Sequence, residues 1–192
     1  MTDTNAIVTY EVRGNIALIT LNRPDARNAI NGEVAAGLEA AIDRLESEQG
    51  VWCGVLTANT EGHKTPVFCA GADLKAINSG QAAALNTARG GFAGFVYRER
   101  SKPVIVAVDG LATAGGCEIV LACDIVIASD RSQFGLAEVK RNLIAGAGGL
   151  FRLPRAIGRN VAMEAILTGD PLTAQRAHEL GLVNHVVSAD DL

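Results

Sequence analysis

The 192-residue sequence predicts a single domain of the α/β class, or α+β by some schemes, built from alternating strands and helices. Two observations predict this class. Short apolar segments of strand length alternate along the chain with amphipathic segments that repeat at helical spacing. The composition, 48% hydrophobic and 20% charged, is that of a chain that buries a core rather than of a disordered one. With 4% aromatic residues and 21 glycines, that core is expected to consist of aliphatic side chains and closely packed backbone.

The first part of the chain predicts two strands and a long helix. Strands are expected at residues 7–10 and 15–21. Val8, Tyr10 and Val12 recur at every second position, as do Ile16, Leu18 and Thr20, which is the spacing of half-buried strands. Residues 31–48 carry apolar side chains at helical spacing, with charged residues on the opposite face. These apolar positions are Val34, Leu38, Ile42 and Leu45. Asn31 is expected to cap the N-terminus of this helix.

The middle of the chain predicts strands that end in turns of small residues. Strands are expected at residues 53–57 and 67–69, and the second runs into a turn at residues 70–73 before a short helix. Residues 79–101 are rich in alanine and favour a helix, but a glycine pair predicts a break in it. We therefore expect a broken helix in this segment.

The remainder of the chain continues the alternation. An apolar strand is expected at residues 104–108, a helix at residues 118–123 and a strand at residues 124–128. The last expected elements are helices at residues 148–157, 160–168 and 174–180 and a strand within residues 181–187.

Two of the turns could stabilise a negatively charged oxygen. Residues 114–116 precede Glu118 at the start of a predicted helix, where backbone N–H groups are available to donate. The turn at residues 70–73 has the same form. Close packing of strand on helix would explain the glycines equally well, and capping by Asp73 would explain the second turn. The spacing does not show whether the two turns meet.

Glu138 is a second candidate acid. Its apolar neighbours in residues 134–139 would favour the neutral carboxyl, as a general acid requires near neutral pH. A surface glutamate paired with Lys140 or Arg141 is the alternative. Together with Glu118, it could form an acid/base pair.

A basic stretch follows Glu138 and contains no acidic residue before Glu164. Its members are Lys140, Arg141, Arg152, Arg155 and Arg159. These cations could bind the phosphates of a ligand or an acidic neighbouring subunit, or they could form a solvated face.

Composition and motifs exclude several other classes of protein. The net charge of −4 argues against a broad nucleic-acid-binding surface, and no apolar run is long enough to span a membrane. No phosphate-binding loop, serine elbow or metal-ligand spacing occurs, and His63 is expected to be solvated. Residues 1–5 lack the features of a signal peptide, and the four cysteines lie in apolar contexts typical of reduced thiols. We therefore expect a cytoplasmic protein.

A set of short segments forms a highly specific pattern through its order and spacing, although each segment alone is weak evidence for any protein family. The segments are residues 21–24 (Leu-Asn-Arg-Pro), 28–30, 68–75 (Phe-Cys-Ala-Gly-Ala-Asp-Leu-Lys), 102–105, 115–118 (Gly-Gly-Cys-Glu), 123–124, 134–138 (Phe-Gly-Leu-Ala-Glu), 146–149 and 167–169. Together they resemble the crotonase superfamily, the enoyl-CoA hydratase/isomerase family. The resemblance implies a crotonase/ClpP-like spiral of repeated ββα units, with two roughly perpendicular sheets surrounded by helices, assembled as homotrimers or dimers of trimers.

The resemblance also implies an enzyme that acts on an acyl-CoA thioester. The N–H groups of Ala72 and Gly115 match the oxyanion-hole positions, and Glu118 and Glu138 match the two carboxylates of a hydratase. The residues that match coenzyme A contacts are Ala26, Arg27, Ala70, Ala72, Asp73, Leu74, Lys75 and Gly115. The implied reaction is addition of water across the 2,3 double bond of a 2-enoyl-CoA in fatty-acid or related acyl-CoA degradation. It requires no metal or redox cofactor.

Three departures from the family pattern keep two alternatives open. Ala137 stands where proline is common and Asn142 where glycine is frequent, which would loosen the loop that carries Glu138. The chain is expected to be a single core domain over residues 1–192, with the family's C-terminal helical trimerisation segment missing after Leu192. The alternatives are an isomerase, which needs only one of the carboxylates, and a non-catalytic acyl-CoA-binding protein of the same fold. The acyl-chain length is left open.

Overall fold

A computed structural model describes residues 6–62 and 64–192, and the elements below refer to these residues. The expectations for residues 1–5 and for His63 lie outside this part of the chain. Within it, no helix has both the length and the apolar character needed to cross a membrane.

The described chain alternates strands and helices from end to end. The strands are β1 Val8–Arg13, β2 Ile16–Leu21, β3 Cys53–Ala58, β4 Asn86–Thr87, β5 Gly91–Phe92, β6 Val104–Val108, β7 Leu111–Thr113, β8 Ile125–Ser129, β9 Gln133–Gly135, β10 Leu172–Thr173 and β11 His185–Val187. The α-helices are α1 Gly32–Ser47, α2 Leu74–Asn78, α3 Gly115–Leu121, α4 Gly149–Ile157, α5 Arg159–Thr168 and α6 Ala174–Glu179. Short 3-10 helices lie at Pro24–Ala26, Ala82–Leu85, Glu138–Arg141 and Ala189–Asp191.

The strands form two main sheets and a small hairpin. The larger sheet has the order β1-β2-β3-β6-β8-β11, antiparallel between β1 and β2 and parallel elsewhere. The smaller sheet has the order β10-β9-β7, with β7 parallel to β9, while β4 and β5 pair as the hairpin. Parallel neighbours in a sheet require long connections, and helices such as α1 and α3 supply them. The predicted α/β class is confirmed.

One face of the larger sheet packs on α1. Ala17, Ile19 and Leu21 of β2 are buried and alternate with less buried residues. The predicted period of two is confirmed, but the face that joins the core is the one opposite Ile16, Leu18 and Thr20. The predicted apolar stripe of α1 is buried as well. Asn31 caps this helix, since its side-chain oxygen accepts a hydrogen bond from the N–H of Val34 at 3.0 Å. Burial of each such aliphatic side chain contributes about 1.5–3 kcal/mol to folding.

The strand predicted at residues 67–69 is wrong. Only Cys69 pairs, through an isolated bridge to Ala112 of β7. The pairing ends at once because Gly71 takes a φ of +83° and turns the chain away from the sheet. This single bridge nevertheless places the turn at residues 70–73 beside the start of α3.

The broken α-helix predicted for residues 79–101 is also wrong. The segment forms a short 3-10 helix and the β4–β5 hairpin instead. A Cβ at Gly90 would overlap the backbone of Gly94, so the chain here folds back closely on itself. Phe92 and Phe95 are buried by this arrangement. Tertiary burial of two aromatic rings therefore overrides the helical propensity of the alanines.

The other predicted elements form with shifted ends. The largest shift is in the last strand, which begins at His185 because Gly181 makes a turn at φ +90°. The helix predicted at residues 118–123 begins three residues earlier, at Gly115.

Candidate active site

A pocket of about 790 Å³ opens where the two small-residue turns meet. Segments that are far apart in the sequence line it, from Ala70 to Ala147. Six of the residues singled out in the sequence are among them: Ala70, Ala72, Leu74, Gly115, Glu118 and Glu138. The fold therefore brings both predicted turns and both predicted carboxylates to one cavity.

The two turns contact each other through their backbones. A Cβ placed on Gly71 would lie 2.9 Å from the nitrogen of Gly115, and one placed on Gly116 would overlap the carbonyl of Cys69. Ala114 has a φ of 52° and a ψ of −128°, a conformation that costs a residue with a Cβ about 1–3 kcal/mol. The close-packing explanation of the glycines thus holds, and it is the same packing that brings the turns together.

Two backbone donors are left available at this junction. The N–H groups of Ala72 and Gly115 donate no hydrogen bond to any residue that the structure describes. Both residues line the pocket. Unpaired N–H groups at a cavity wall are available to an oxygen atom that enters the cavity, and they stabilise negative charge on it.

Glu118 lies in the first turn of α3 and is only 3% exposed. Its Oε1 accepts hydrogen bonds from the N–H groups of Ala147 and Gly149, at 2.8 and 2.9 Å. A Cβ on Gly149 would lie 3.1 Å from the Cγ of Glu118, so glycine permits this close approach. Burial raises the pKa of Glu118, while the two N–H donors and the charge of Arg152 oppose that rise.

Glu138 lies in the one-turn helix after β9 and is 9% exposed. Its Oε2 is buried and has no hydrogen-bond partner within the described residues. Burial raises the pKa of Glu138 to about 7, and the nearby charge of Glu118 adds to the rise. Lys140 pairs with Asp170 at 2.6 Å instead. The alternative of a surface glutamate paired with Lys140 or Arg141 is therefore wrong.

Comparison with known proteins identifies the chain. Residues 11–192 match the sequence profile of the family described as Enoyl-CoA hydratase/isomerase. The chain belongs to this family. The predicted resemblance is thereby confirmed over nearly the whole chain.

Similar proteins of the family are found among curated sequences and solved structures. A probable enoyl-CoA hydratase of Rhizobium meliloti is 38% identical over 187 residues, which cover 95% of this chain and 69% of that protein. The 2,3-dehydroadipyl-CoA hydratase of Escherichia coli is 37% identical over 176 residues, covering 91% and 67% respectively. The crystal structure of an enoyl-CoA hydratase from Mycobacterium tuberculosis superposes with a TM-score of 0.88 at 47% identity, covering 96% of this chain and 70% of that one. The expected fold and the hydratase class of the family agree with these relatives.

The residues that match coenzyme A contacts divide into two groups. Ala70, Ala72, Leu74 and Gly115 line the pocket. The remaining ones, Ala26, Arg27, Asp73 and Lys75, lie outside its wall.

The loop that carries Arg27 runs beside the pocket, although its side chain does not line it. The carbonyl of Arg27 accepts a hydrogen bond from the N–H of Ala70 at 3.1 Å. Asp73 caps α2 through the N–H groups of Lys75 and Ala76 and binds Arg23 at 2.7 Å. Burial alone would raise the pKa of Asp73, but these hydrogen bonds lower it. The capping explanation of Asp73 is thus confirmed, which leaves main-chain groups as the available contacts in that turn.

The structure adds wall residues that the sequence did not single out: Asn86, Phe92, Tyr97, Leu143 and Ile144. Lys140 and Arg141 of the predicted basic stretch line the wall as well. The ring of Phe92 lies so close to Gly115 that a Cβ there would be 2.5 Å from it. Phe92 and Tyr97 are isolated aromatic residues in an alanine-rich segment, and their isolation is the sequence signal that could have indicated a role in the pocket wall.

The two departures beside Glu138 do not disrupt its loop. Asn142 has a φ of 55°, in the left-handed region that asparagine tolerates better than most residues, so it can take the place of glycine. Ala137 has a φ of −89°, and the N–H of Leu143 donates to the carbonyl of Glu138 at 3.0 Å. The short helix that carries Glu138 is formed with both departures present.

The structure also tests the expectations for cysteines and metals. All four cysteines are free thiols, and burial raises the pKa of Cys69 to about 12. Among the residues described, no cluster of histidine, cysteine, aspartate or glutamate has the geometry of a metal site.

Proposed function

We propose that this chain is an enoyl-CoA hydratase, which adds water across the 2,3 double bond of a 2-enoyl-CoA thioester. The observation that carries the proposal is the shared pocket of Glu118 and Glu138. Two buried carboxyl groups face one cavity, and two backbone N–H groups that donate to no described residue lie on the wall of the same cavity. This is the set of groups that addition of water to a conjugated thioester requires.

The N–H groups of Ala72 and Gly115 bind the thioester carbonyl oxygen. Attack of water on the β-carbon moves electron density onto this oxygen, which becomes an enolate. Hydrogen-bond donors fixed in place before the reaction stabilise that charge without reorganising, and the loss of one such donor costs about 3–4 kcal/mol in comparable sites.

The two carboxyl groups transfer the protons. Glu118, whose Oε1 is fixed by two N–H donors, accepts a proton from the water as its oxygen bonds to the β-carbon. Glu138, with a pKa raised to about 7, retains a proton near neutral pH and delivers it to the α-carbon as the enolate collapses. The product is a 3-hydroxyacyl-CoA, and exchange with solvent returns each carboxyl group to its starting protonation state.

The coenzyme A part of the substrate contacts the turn at residues 70–73 and the residues beside it. Ala26, Arg27 and the main chain of residues 70–75 hold the coenzyme A moiety in this proposal, with Leu74 on the pocket wall. The reaction needs no metal or redox cofactor, since proton transfer and oxyanion binding supply its chemistry. Dialysis against a chelator is therefore expected to leave the rate unchanged.

The assembly and setting of the protein follow the family in this proposal. We expect a homotrimer or a dimer of trimers, located in the cytoplasm and serving fatty-acid or related acyl-CoA degradation. Light scattering coupled to size-exclusion chromatography measures the assembly. A monomer at micromolar concentration would contradict the expected trimer.

The direct test follows the ultraviolet absorbance of the conjugated enoyl thioester, which disappears as water adds. The chain is expected to remove this absorbance from a four-carbon 2-enoyl-CoA. Glu118→Gln and Glu138→Gln are expected to lose the activity, whereas Glu164→Gln, a change at an exposed glutamate of α5, is the matched control. Full activity in both pocket variants would refute the two-carboxylate mechanism.

Two further measurements separate the alternatives. Product analysis with a 3-enoyl-CoA distinguishes an isomerase, which would return the 2-enoyl isomer and tolerate the loss of one carboxylate. Calorimetric binding of an acyl-CoA without turnover would instead indicate a non-catalytic binding protein.

A further inference from the structure

Arg152 of α4 lies behind the pocket wall rather than on it. Its Nη1 donates to the carbonyl of Ala147 at 3.2 Å and its Nη2 to the carbonyl of Val96 at 2.5 Å. Its guanidinium carbon lies 4.8 Å from the ring centre of Phe151 and 5.6 Å from that of Tyr97. One partly buried side chain thus joins the segment that contains Tyr97 to the turn that precedes α4.

That turn is the one that holds Glu118. Ala147, whose carbonyl binds Arg152, uses its N–H to bind Oε1 of Glu118, and Gly149 supplies the second donor. Between them, Gly148 has a φ of +107°, and a Cβ on it would overlap Nη1 of Arg152. The positive φ favours glycine at this position, and the absence of a Cβ leaves the space that the guanidinium occupies.

The charge of Arg152 also acts on Glu118. The arginine lowers the pKa of Glu118 against the effect of burial, and partial burial limits the screening of this attraction by water. Glu138 faces Glu118 with a like charge when ionised, and the neighbouring Cys117 is a neutral thiol because burial raises its pKa. Burial lowers the pKa of Arg152 itself, and the charges of Arg100 and Arg155 lower it further, while Tyr97 and Glu118 raise it.

We propose that Arg152 is a positioning residue for Glu118, which fixes the turn at residues 147–149 so that the N–H groups of Ala147 and Gly149 hold the carboxylate. The positive charge of Arg152 acts against the effect of burial on Glu118. The inference rests on the proposed function, since it gives Glu118 the role of the base. Arg152 acts through the backbone of the turn and does not touch the substrate. This role distinguishes Arg152 from the other residues of the basic stretch, which could not be told apart from the sequence.

A purely structural role makes a different prediction. A brace between two loops would lower stability when removed, and with it the amount of active protein, but it would leave the titration of Glu118 in place. A positioning role moves the titration as well. Three replacements separate the contributions. Arg152→Met removes the charge and both hydrogen bonds, Arg152→Gln removes the charge and leaves one shorter amide donor, and Arg152→Lys keeps the charge but not the forked donor.

The kinetic test compares pH profiles of hydration. In Arg152→Met and Arg152→Gln, kcat is expected to fall at least tenfold with little change in KM, and the acidic limb of kcat/KM is expected to move up by about one pH unit. Arg152→Lys is expected to restore the position of the limb. Arg155→Met is the matched control, because Arg155 also lies over Phe151 but on the exposed side of α4.

A second readout does not depend on catalysis. Carbon-13 labelling of glutamate allows the carboxyl of Glu118 to be titrated by NMR in the free protein, with Glu118→Gln used to assign the signal. The pKa of Glu118 is expected to rise in Arg152→Gln and to stay near the wild-type value in Arg152→Lys. If the wild-type chain hydrates no enoyl-CoA, the proposed function fails and this titration still decides the role of Arg152.

One result would overturn the role proposed for Arg152. An Arg152→Gln protein that folds and shows the wild-type titration of Glu118 would reduce Arg152 to a structural brace. Should Arg152→Met fail to fold, the pair Arg152→Gln and Arg152→Lys carries the same comparison.

Discussion

Glu118 and Glu138 face the same pocket and are both buried, but the chain surrounds them differently. Glu118 lies in the first turn of a regular helix and has one oxygen fixed by the N–H groups of Ala147 and Gly149. Glu138 lies in a single helical turn, and its Oε2 meets no donor within the described chain. Burial raises the pKa of both groups. At Glu118 two N–H donors of another turn and the charge of Arg152 oppose the rise, whereas at Glu138 its own backbone N–H opposes it and the charge of Glu118 adds to it.

The difference teaches how one pocket can hold an acid and a base at the same pH. Desolvation alone would make both glutamates acids, since it favours the neutral carboxyl in each. Glu118 has two N–H donors from a neighbouring turn that favour its ionised form, whereas Oε2 of Glu138 has no donor within the described residues. In the proposed mechanism, the surroundings of the two glutamates rather than their identity therefore assign the base and the acid.

The largest expected effect is the loss of either carboxylate. Glu118→Gln and Glu138→Gln are each expected to lower kcat by about 10²–10⁴-fold, because an amide neither accepts nor delivers the proton. The double variant should be little slower than the slower single one, since both groups act in one reaction. Initial rates with a 2-enoyl-CoA measure this. A single variant with the wild-type rate would show that the pocket works with one carboxylate.

The second prediction concerns the pH dependence of the rate. Because Glu138 must carry its proton in the free enzyme, kcat/KM is expected to fall about tenfold per pH unit above its pKa of about 7. The residual activity of Glu138→Gln should lack this limb. A limb that persists in that variant would assign the ionisation to another group.

The third prediction concerns stability. The pKa of Glu138 is raised from 4.5 in the unfolded chain to about 7 in the fold. The neutral carboxyl therefore makes its full contribution to the free energy of unfolding below pH 4.5. That contribution is lost as the pH rises through about 7. Glu138→Gln avoids this loss, and relative to wild type it is expected to gain about 2–3 kcal/mol between about pH 4.5 and about pH 8. Denaturant unfolding measures the gain, and Glu164→Gln should show none.

The smallest expected effect tests the loop around Glu138. Ala137 has a φ of −89°, near the range of proline, and its N–H donates no hydrogen bond within the described residues. Ala137→Pro is therefore expected to stabilise the fold by about 0.4–1 kcal/mol, because it restricts the unfolded chain. Thermal unfolding measures this stabilisation as a rise in melting temperature. A lower melting temperature would show that residue 137 needs a backbone angle proline cannot take.

The sequence by itself determined the local features of this protein. The alternation in β2, the apolar stripe of α1 and the cap at Asn31 could be predicted because each depends on residues close together in the chain. The same is true of the small-residue turns and of the choice of Glu118 and Glu138. The motifs that carry the family resemblance are likewise short and local.

Only the tertiary structure decided how these features meet. The contact of Gly71 with Gly115, and the hydrogen bonds from Ala147 and Gly149 to Glu118, join residues tens of positions apart. Residues 79–101 follow the same rule, since burial of Phe92 and Phe95 outweighs the local preference of alanine for helix. Local spacing encodes propensity, whereas burial and the pairing of polar groups are properties of the whole packed chain. The surroundings of Glu118 and Glu138, on which their proposed roles as base and acid depend, are therefore set by packing.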